Sequence, residues 1–392
     1  MPVVGKPQPI LLYIYSICNG IGSPLLAIQW AVDNYNAYLQ EHEPSLEITE
    51  TYIYEISTLA NQVAQALLEM SRYPGSVHYL GDVTDFHIHA RSLPLNIPPG
   101  FQYRVLSLSG TPCKSISIAC TRSPHRKAFG LHAFPSNVFW AAHSGLTCLQ
   151  QDHREWFWSF AENVIPGSHI DLKELDKHLG YRQLMAVPPG AGAPRSRFIW
   201  TSVRCDVPAF QGPPTDNQGR LCLPIGWQYR SPKKGLPCMR AIFPFLFWKF
   251  VQDIDNMTRA DQEVVTSCQL WHEETQLVRL PSLEIWAAAM GLDTVILNRV
   301  KLVLPCKGVV RTWQPEMTVG KCGVWAYCDP CCEILTLLGE GWHLLVASHF
   351  VRHSFVQFMD VAKDPLMYQQ IVQLHTEVHV CSPSCHLSRK RL

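Results

Sequence analysis

The strongest constraint on the fold is an alternation of apolar runs and amphipathic stretches, each apolar run closing on a polar or glycine-rich turn. Residues 9–17 hold the continuous apolar stretch Ile10-Leu11-Leu12-Tyr13-Ile14-Tyr15, as expected of a strand buried on both faces. It stops at Cys18-Asn19-Gly20-Ile21-Gly22-Ser23. A helical pattern over 24–39 follows, apolar at Leu25, Leu26, Ile28, Ala31 and Val32. A second strand is expected at 48–54 and a second helix at 57–70. His78-Tyr79-Leu80 then precedes Gly81-Asp82-Val83. Further strands are expected at 103–108, 156–160 and 197–203. The first of these closes on Ser109-Gly110-Thr111-Pro112-Cys113 and the second on Ala161-Glu162-Asn163-Val164. Such alternation gives an α/β fold with a mostly parallel sheet. Ligands of such sheets bind beyond the carboxyl ends of the strands. Asn19, Glu55, Asp82, Cys113 and Glu162 all fall at or just after such ends.

Composition narrows the class. The 392 residues are 47% hydrophobic and 17% charged, which excludes a disordered chain. With 33 Lys+Arg against 32 Asp+Glu the net charge is +1, so the chain is not uniformly basic. The charge is uneven, however. Residues 181–240 carry nine basic side chains (Arg182, Arg195, Arg197, Arg204, Arg220, Arg230, Lys233, Lys234, Arg240) against Asp206 and Asp216. That segment is +7 and the remainder −6, which suggests contact with a polyanion. Twelve tryptophans and 29 prolines suit a packed protein with many irregular connections. Fifteen cysteines, an odd number at irregular spacing, read as mostly reduced and intracellular. No run of about 18 apolar residues suggests a membrane span, and Met1 to Lys6 does not open like a signal peptide.

Cys113 lies behind a Gly-x-Pro turn, which argues for an exposed loop position. Glu162-Asn163-Val164 follows at the next strand end, and Arg195-Ser196-Arg197 follows that. Taken in order, these residues resemble the cytosine-5 DNA methyltransferases, and most of all the animal de novo branch, with the catalytic domain alone represented. The glycine-rich turn 18–23, Glu55 and Asp82 resemble the family's cofactor motifs. Pro112-Cys113, with Ser117 four residues on, resembles the nucleophile loop. Glu162-Asn163-Val164 and Arg195-x-Arg197 are intact. Leu280-Pro281-Ser282-Leu283-Glu284-Ile285-Trp286 through Met290-Gly291-Leu292 looks like the late segment before the return to the catalytic domain. Leu337-Leu338-Gly339-Glu340-Gly341-Trp342 looks like the last cofactor motif. The resemblance covers roughly residues 8–358. Departures are Asn19 in place of an acid, Lys114 in place of Gln or Asn, Glu340-Gly341 in place of Gly-Asn, and a weak fifth motif at Phe129-Gly130-Leu131.

The resemblance implies a Rossmann-like S-adenosylmethionine-dependent methyltransferase sheet with a small irregular target-recognition domain. It implies Cys113 as nucleophile, Glu162 as acid/base at N3 of the cytosine, and Arg195 and Arg197 as supports for the base. It implies a cofactor held by Cys18, Asn19, Gly20, Gly22, Ser23, Glu55, Asp82, Val83, Pro112 and Trp342. The target atom is unreachable inside a duplex, so the base must flip out. The expected partner is DNA, not a membrane, and homo-oligomer formation stays open. The expected place is intracellular, nuclear if eukaryotic.

The expected units are 1–203 (catalytic), 204–317 (target recognition), 318–360 (return to the catalytic domain) and 361–392 (tail). In the second of these the strand–helix alternation gives way to Gly-Pro clusters and short apolar pieces. A helix is expected from Asp329 as N-cap with Pro330 at its first position, interrupted at 339–341 and resumed over 342–358. Cys328-x-x-Cys331 and Cys381-x-x-x-Cys385-His386 resemble metal-ligand spacings, but packing and tail composition are preferred, and no catalytic metal is expected. Two alternatives stay beside DNA methylation. One is a transfer RNA substrate for the same chemistry. The other is a catalytically silent DNA-binding relative.

Overall fold

The computed structural model describes residues 7–37, 44–92, 95–113, 115–117, 130–185, 196–205, 207, 221, 223–229, 236, 254–275, 278–292, 294–304, 329–340, 342 and 344–363. Seven strands form the main sheet: β1 (Ile10–Ile17), β2 (Leu46–Tyr54), β3 (Ser76–Tyr79), β4 (Tyr103–Ser109), β5 (Phe157–Val164), β6 (Tyr181–Met185) and β7 (Arg197–Thr201). Their order is β3-β2-β1-β4-β5-β7-β6. The first five are mutually parallel, and β7 runs antiparallel to both β5 and β6. This is a Rossmann-like, mostly parallel α/β sheet with one antiparallel strand, β7, inserted between β5 and β6.

The side-chain period of two divides β1 between two cores. Ile10, Leu12 and Ile14 join one cluster with Leu25, Ile28 and Val32 of α1 (Ser23–Ala37) and Val63 and Leu67 of α2 (Thr58–Met70). Tyr15 and Ile17 join another with Phe86 of α3 (Phe86–Ser92) and Leu146 and Leu149 of α4 (Val138–His153). All eight residues of β1 are buried, which is why its sequence is continuously apolar. Gly145 lets α4 close onto α3, since a Cβ there would lie 2.3 Å from Phe86 Cδ1. Beyond β5, α5 (His169–Leu179) leads into β6.

Two expectations need correction. Strand β5 does not close at residue 160; it runs to Val164, because β7 pairs with it across Glu162↔Ile199 and Val164↔Arg197. The region after residue 204 also holds regular structure: a three-stranded antiparallel sheet of β8 (Trp227–Tyr229), β9 (Leu270–His272) and β10 (Val278–Arg279), and helices α6 (Arg259–Cys268), α7 (Leu283–Ala289) and α8 (Thr294–Val303). Thr258 and Ser282 cap α6 and α7 with their side chains. Arg299 of α8 donates to Ala66 O of α2 at 3.1 Å and pairs with Glu69 at 3.4 Å. Helix α9 (Asp329–Glu340) begins where the Asp-Pro pair placed it, and α10 (Leu344–Lys363) resumes two residues later than expected. Phe355 and Phe358 of α10 pack on Trp158 of β5 at ring distances of 5.8 and 6.3 Å, which returns the chain to the main sheet.

Among the described residues no helix is long and apolar enough to cross a membrane, and no group of three or more His, Cys, Asp or Glu could hold a metal ion. The cysteine clusters weighed above, at 322–332 and 381–386, have side chains outside the described residues.

Candidate active site

Strand register sets the site. Ile17 pairs with Tyr54 on one side and Ser109 on the other, and Ser109 pairs with Ala161. Cys18, Glu55, Gly110 and Glu162 are therefore the next residues along one carboxyl edge.

The first turn leaves β1 through Cys18 (φ 53), Gly20 (φ 55) and Gly22 (φ 85). Gly22 is required twice over, by its φ and by Ala64 Cβ, which an added Cβ would approach to 3.2 Å. Glu55 ties this turn to α2: Gly20 N and Ser57 N each donate to one of its carboxylate oxygens at 2.9 Å. Asn61 Nδ2 donates to Glu55 O at 2.9 Å. Asn19 is turned inward, accepting from Ser16 Oγ at 2.7 Å. Asp82 is exposed and caps the following turn through Thr84 N at 2.9 Å. Cys18 lies near both acids. Burial, then the Glu55 and Asp82 carboxylates, push its thiol up to about 12.

This edge offers a cradle that fits a cofactor. Ser23 Oγ, at the start of α1, is buried without a hydrogen-bond partner. A Cβ at Gly20 or Gly81 would meet nothing within 4 Å, so open space lies over both turns. Each Glu55 oxygen keeps acceptor capacity after its backbone bond. The Val83 side chain is buried in the second core cluster. Ile56, which sequence reasoning missed, is 75% exposed directly after Glu55. An apolar side chain displayed beside a polar strand end is the signal that could have found it.

The Cys113 turn follows β4. Its carbonyl accepts from Ile116 N and Ser117 N, both at 3.1 Å. Cys113 is a reduced cysteine, half-buried beside the cluster of Ile116, Leu131, Phe139 and Trp200, rather than fully exposed as the loop position suggested. Asn163 binds the turn to β5, donating from Nδ2 to Thr111 O and Oγ1 at 3.2 Å each. Pro112 is carried in the same turn. Trp342 is 5% exposed, packs on Phe160 at 5.4 Å, and lies against Gly110, where a Cβ would be 2.6 Å from its Nε1.

Glu162 and Arg197 meet across the β5–β7 ladder, Oε1 to Nε at 3.0 Å. Both side chains are largely buried, and the contact is an ion pair whose geometry falls short of a hydrogen bond. The carboxylate therefore keeps acceptor capacity for a further donor. Arg195 and Lys114 lie outside the described residues. Of the basic segment, Arg182 is engaged by Asp176 at 2.7 Å and lies over the Phe198 ring at 4.8 Å.

No known family matches this chain, and no curated protein matches it. Among solved structures, the Dnmt2 methyltransferase of S. pombe is 12% identical, covers 91% of this chain and 99% of that chain, and gives a TM-score of 0.44. A protein of Pyrococcus horikoshii described as a candidate RNA methyltransferase is 14% identical over 48% of this chain and 72% of its own, at a TM-score of 0.25. Likenesses this distant assign no activity to the chain.

Proposed function

We propose that this chain transfers a methyl group from S-adenosylmethionine to C5 of a flipped-out cytosine in DNA, through a covalent bond between Cys113 and C6. The observation that carries the reading is the largely buried Glu162–Arg197 ion pair, on the strand that Asn163 fastens to the Cys113 turn. It supports a pocket that presents one carboxyl and one thiol to the same planar ring.

The cofactor, when bound over the turns at 18–23, 55 and 82, supplies the methyl group. Gly20 and Gly81 would admit it, Ser23 Oγ and Glu55 would bind its polar groups, and Ile56, Pro112 and Trp342 would offer it apolar contacts. Cytosine C5 is a poor nucleophile. Addition of the Cys113 thiolate to C6 pushes the C5=C6 electrons toward N3, and C5 becomes enamine-like. Glu162 lends a proton at N3 as that charge develops and takes it back later. Arg197, with Arg195, holds the base carbonyl or the adjacent phosphate. After methylation a base removes the C5 proton, the C5=C6 bond re-forms and the Cys113 thiolate leaves. The units 204–317, 318–360 and 361–392 would serve as recognition module, return segment and tail.

The experiment is transfer from methyl-labelled cofactor to duplex DNA and to transfer RNA. Label at C5 of DNA cytosine supports the reading. Label in transfer RNA alone refutes the DNA assignment. No cofactor binding by calorimetry, together with no transfer, refutes the enzyme.

A further inference from the structure

Asp171 stands at the third position of α5, after Ser168, whose Oγ accepts from Ile170 N at 3.2 Å. In a Ser-x-x-acid start the acid ordinarily turns back to the cap's own N–H. Here its Oδ1 accepts instead from the N–H of Leu131 at 2.9 Å, forty residues earlier in the chain, and Asp171 is 8% exposed. Gly130 (φ 100) is the neighbour that permits this approach, since a Cβ there would lie 3.3 Å from Oδ1. Gly130 N donates in turn to Ser115 O at 3.0 Å. Ser115 is fixed at all its polar atoms: Oγ donates to Ala133 O at 2.8 Å, and Ser136 Oγ accepts from Ser115 N at 3.3 Å. Gly167 N, just before α5, donates to Ile116 O at 2.8 Å. Two hydrogen-bonded routes thus run from the start of α5 to the turn that carries Cys113.

We propose that Asp171 is a positioning residue for Cys113, acting through Leu131, Gly130 and Ser115 to hold the thiol's turn in register with Glu162. The proposal rests on the reading of Cys113 as the nucleophile. A buried carboxylate is costly unless it is hydrogen-bonded, and this one gives up its local capping role for a bond to the catalytic loop's support. The lever is geometric: reacting groups displaced by about 1 Å lose on the order of a hundredfold in rate.

The test uses Asp171→Ala, Asp171→Asn and Ser115→Ala in the full chain. Two readouts are taken: methyl-transfer kinetics, and the rate of Cys113 alkylation by iodoacetamide followed by peptide mass spectrometry. Asp171→Ala is expected to lower kcat at least tenfold, with KM for DNA and cofactor affinity within twofold. It should change the Cys113 alkylation rate at least threefold. Asp171→Asn keeps an acceptor oxygen and should recover kcat to within threefold of wild type. Ser115→Ala keeps the carbonyl that Gly130 N binds and removes only the Oγ bond to Ala133 O, so it should lower kcat less than Asp171→Ala does. If Asp171→Ala does not fold, Gly130→Ala, whose Cβ crowds Asp171 Oδ1 at 3.3 Å, takes its place. Unchanged alkylation in a folded Asp171→Ala, or in Gly130→Ala in its stead, overturns the proposal. If wild type transfers no methyl group, the functional reading fails, while the alkylation rates alone still support or overturn the clasp.

Discussion

Replacing Glu162 by Gln changes one atom in the candidate site and separates two roles of that carboxyl. The side chains of Glu162 and Arg197 are 9% and 13% exposed and touch at 3.0 Å. Removing one charge from a fully buried pair costs about 3–5 kcal/mol. Both groups here keep some water, so about 1–3 kcal/mol of stability is the expected loss. The amide keeps the shape and retains an acceptor oxygen near Arg197, so the fold should survive. Its chemical effect should be larger. Loss of a general acid/base lowers rates by about 10²–10⁴, or about 2.7–5.5 kcal/mol in the barrier. Cofactor affinity should move less than about twofold, because Gly20 and Glu55 lie in the turns after β1 and β2 while Glu162 lies on β5, beyond β4. The assay is single-turnover methyl transfer, beside calorimetric cofactor binding and urea unfolding. A folded Glu162→Gln protein with a rate within threefold of wild type would refute the acid/base role. A variant that loses cofactor binding as well would show that the pair is structural and that the reasoning above is wrong.

Three more outcomes follow from the same geometry. Glu55→Ala removes both carboxylate acceptors from Gly20 N and Ser57 N, and should weaken cofactor binding about tenfold or more, given charge-assisted bonds of about 1.5–3 kcal/mol each; an unchanged Kd by calorimetry contradicts it. Burial, then the adjacent His178, lowers the His143 imidazole to about 4. Its neutral form is therefore favoured on folding, and that stability is complete above about pH 6.5 and lost as pH falls toward 4. Solvent screening of the partly exposed ring limits the effect to about 1 kcal/mol, so His143→Phe should show a shallower loss between pH 7 and 4 by urea unfolding, and an identical pH slope counts against it. Gly110→Ala drives a Cβ to 2.6 Å from Trp342 Nε1 and should cost about 1–3 kcal/mol; a loss under about 0.5 kcal/mol in the urea midpoint would mean that Trp342 is not seated there.

The parallel half of the sheet was legible because its strands are buried on both faces and read as apolar runs bounded by turns. The same logic placed Glu55, Asp82 and Cys113 near strand ends. It ended β5 too early because pairing with β7 is a long-range contact, and Glu162 is polar for reasons other than a turn. Between residues 204 and 304, the described strands of two or three residues and helices of seven to ten leave too short a period to read, while Ser282 and Thr258 were cap signals that went unused. Asp171 escaped notice because a Ser-x-x-Asp start looks like local capping, and only the fold shows where its carboxylate goes.

The central claim is the bond between Cys113 and C6 of cytosine. It is tested most directly by incubating the chain and cofactor with a duplex carrying 5-fluorocytosine, then resolving the product by denaturing electrophoresis and mass spectrometry. Fluorine cannot leave as the C5 proton does, so the account predicts a covalent complex at Cys113 that is absent in Cys113→Ala. An enzyme that methylates unmodified DNA yet forms no complex, or a Cys113→Ala protein that keeps full activity, would contradict it.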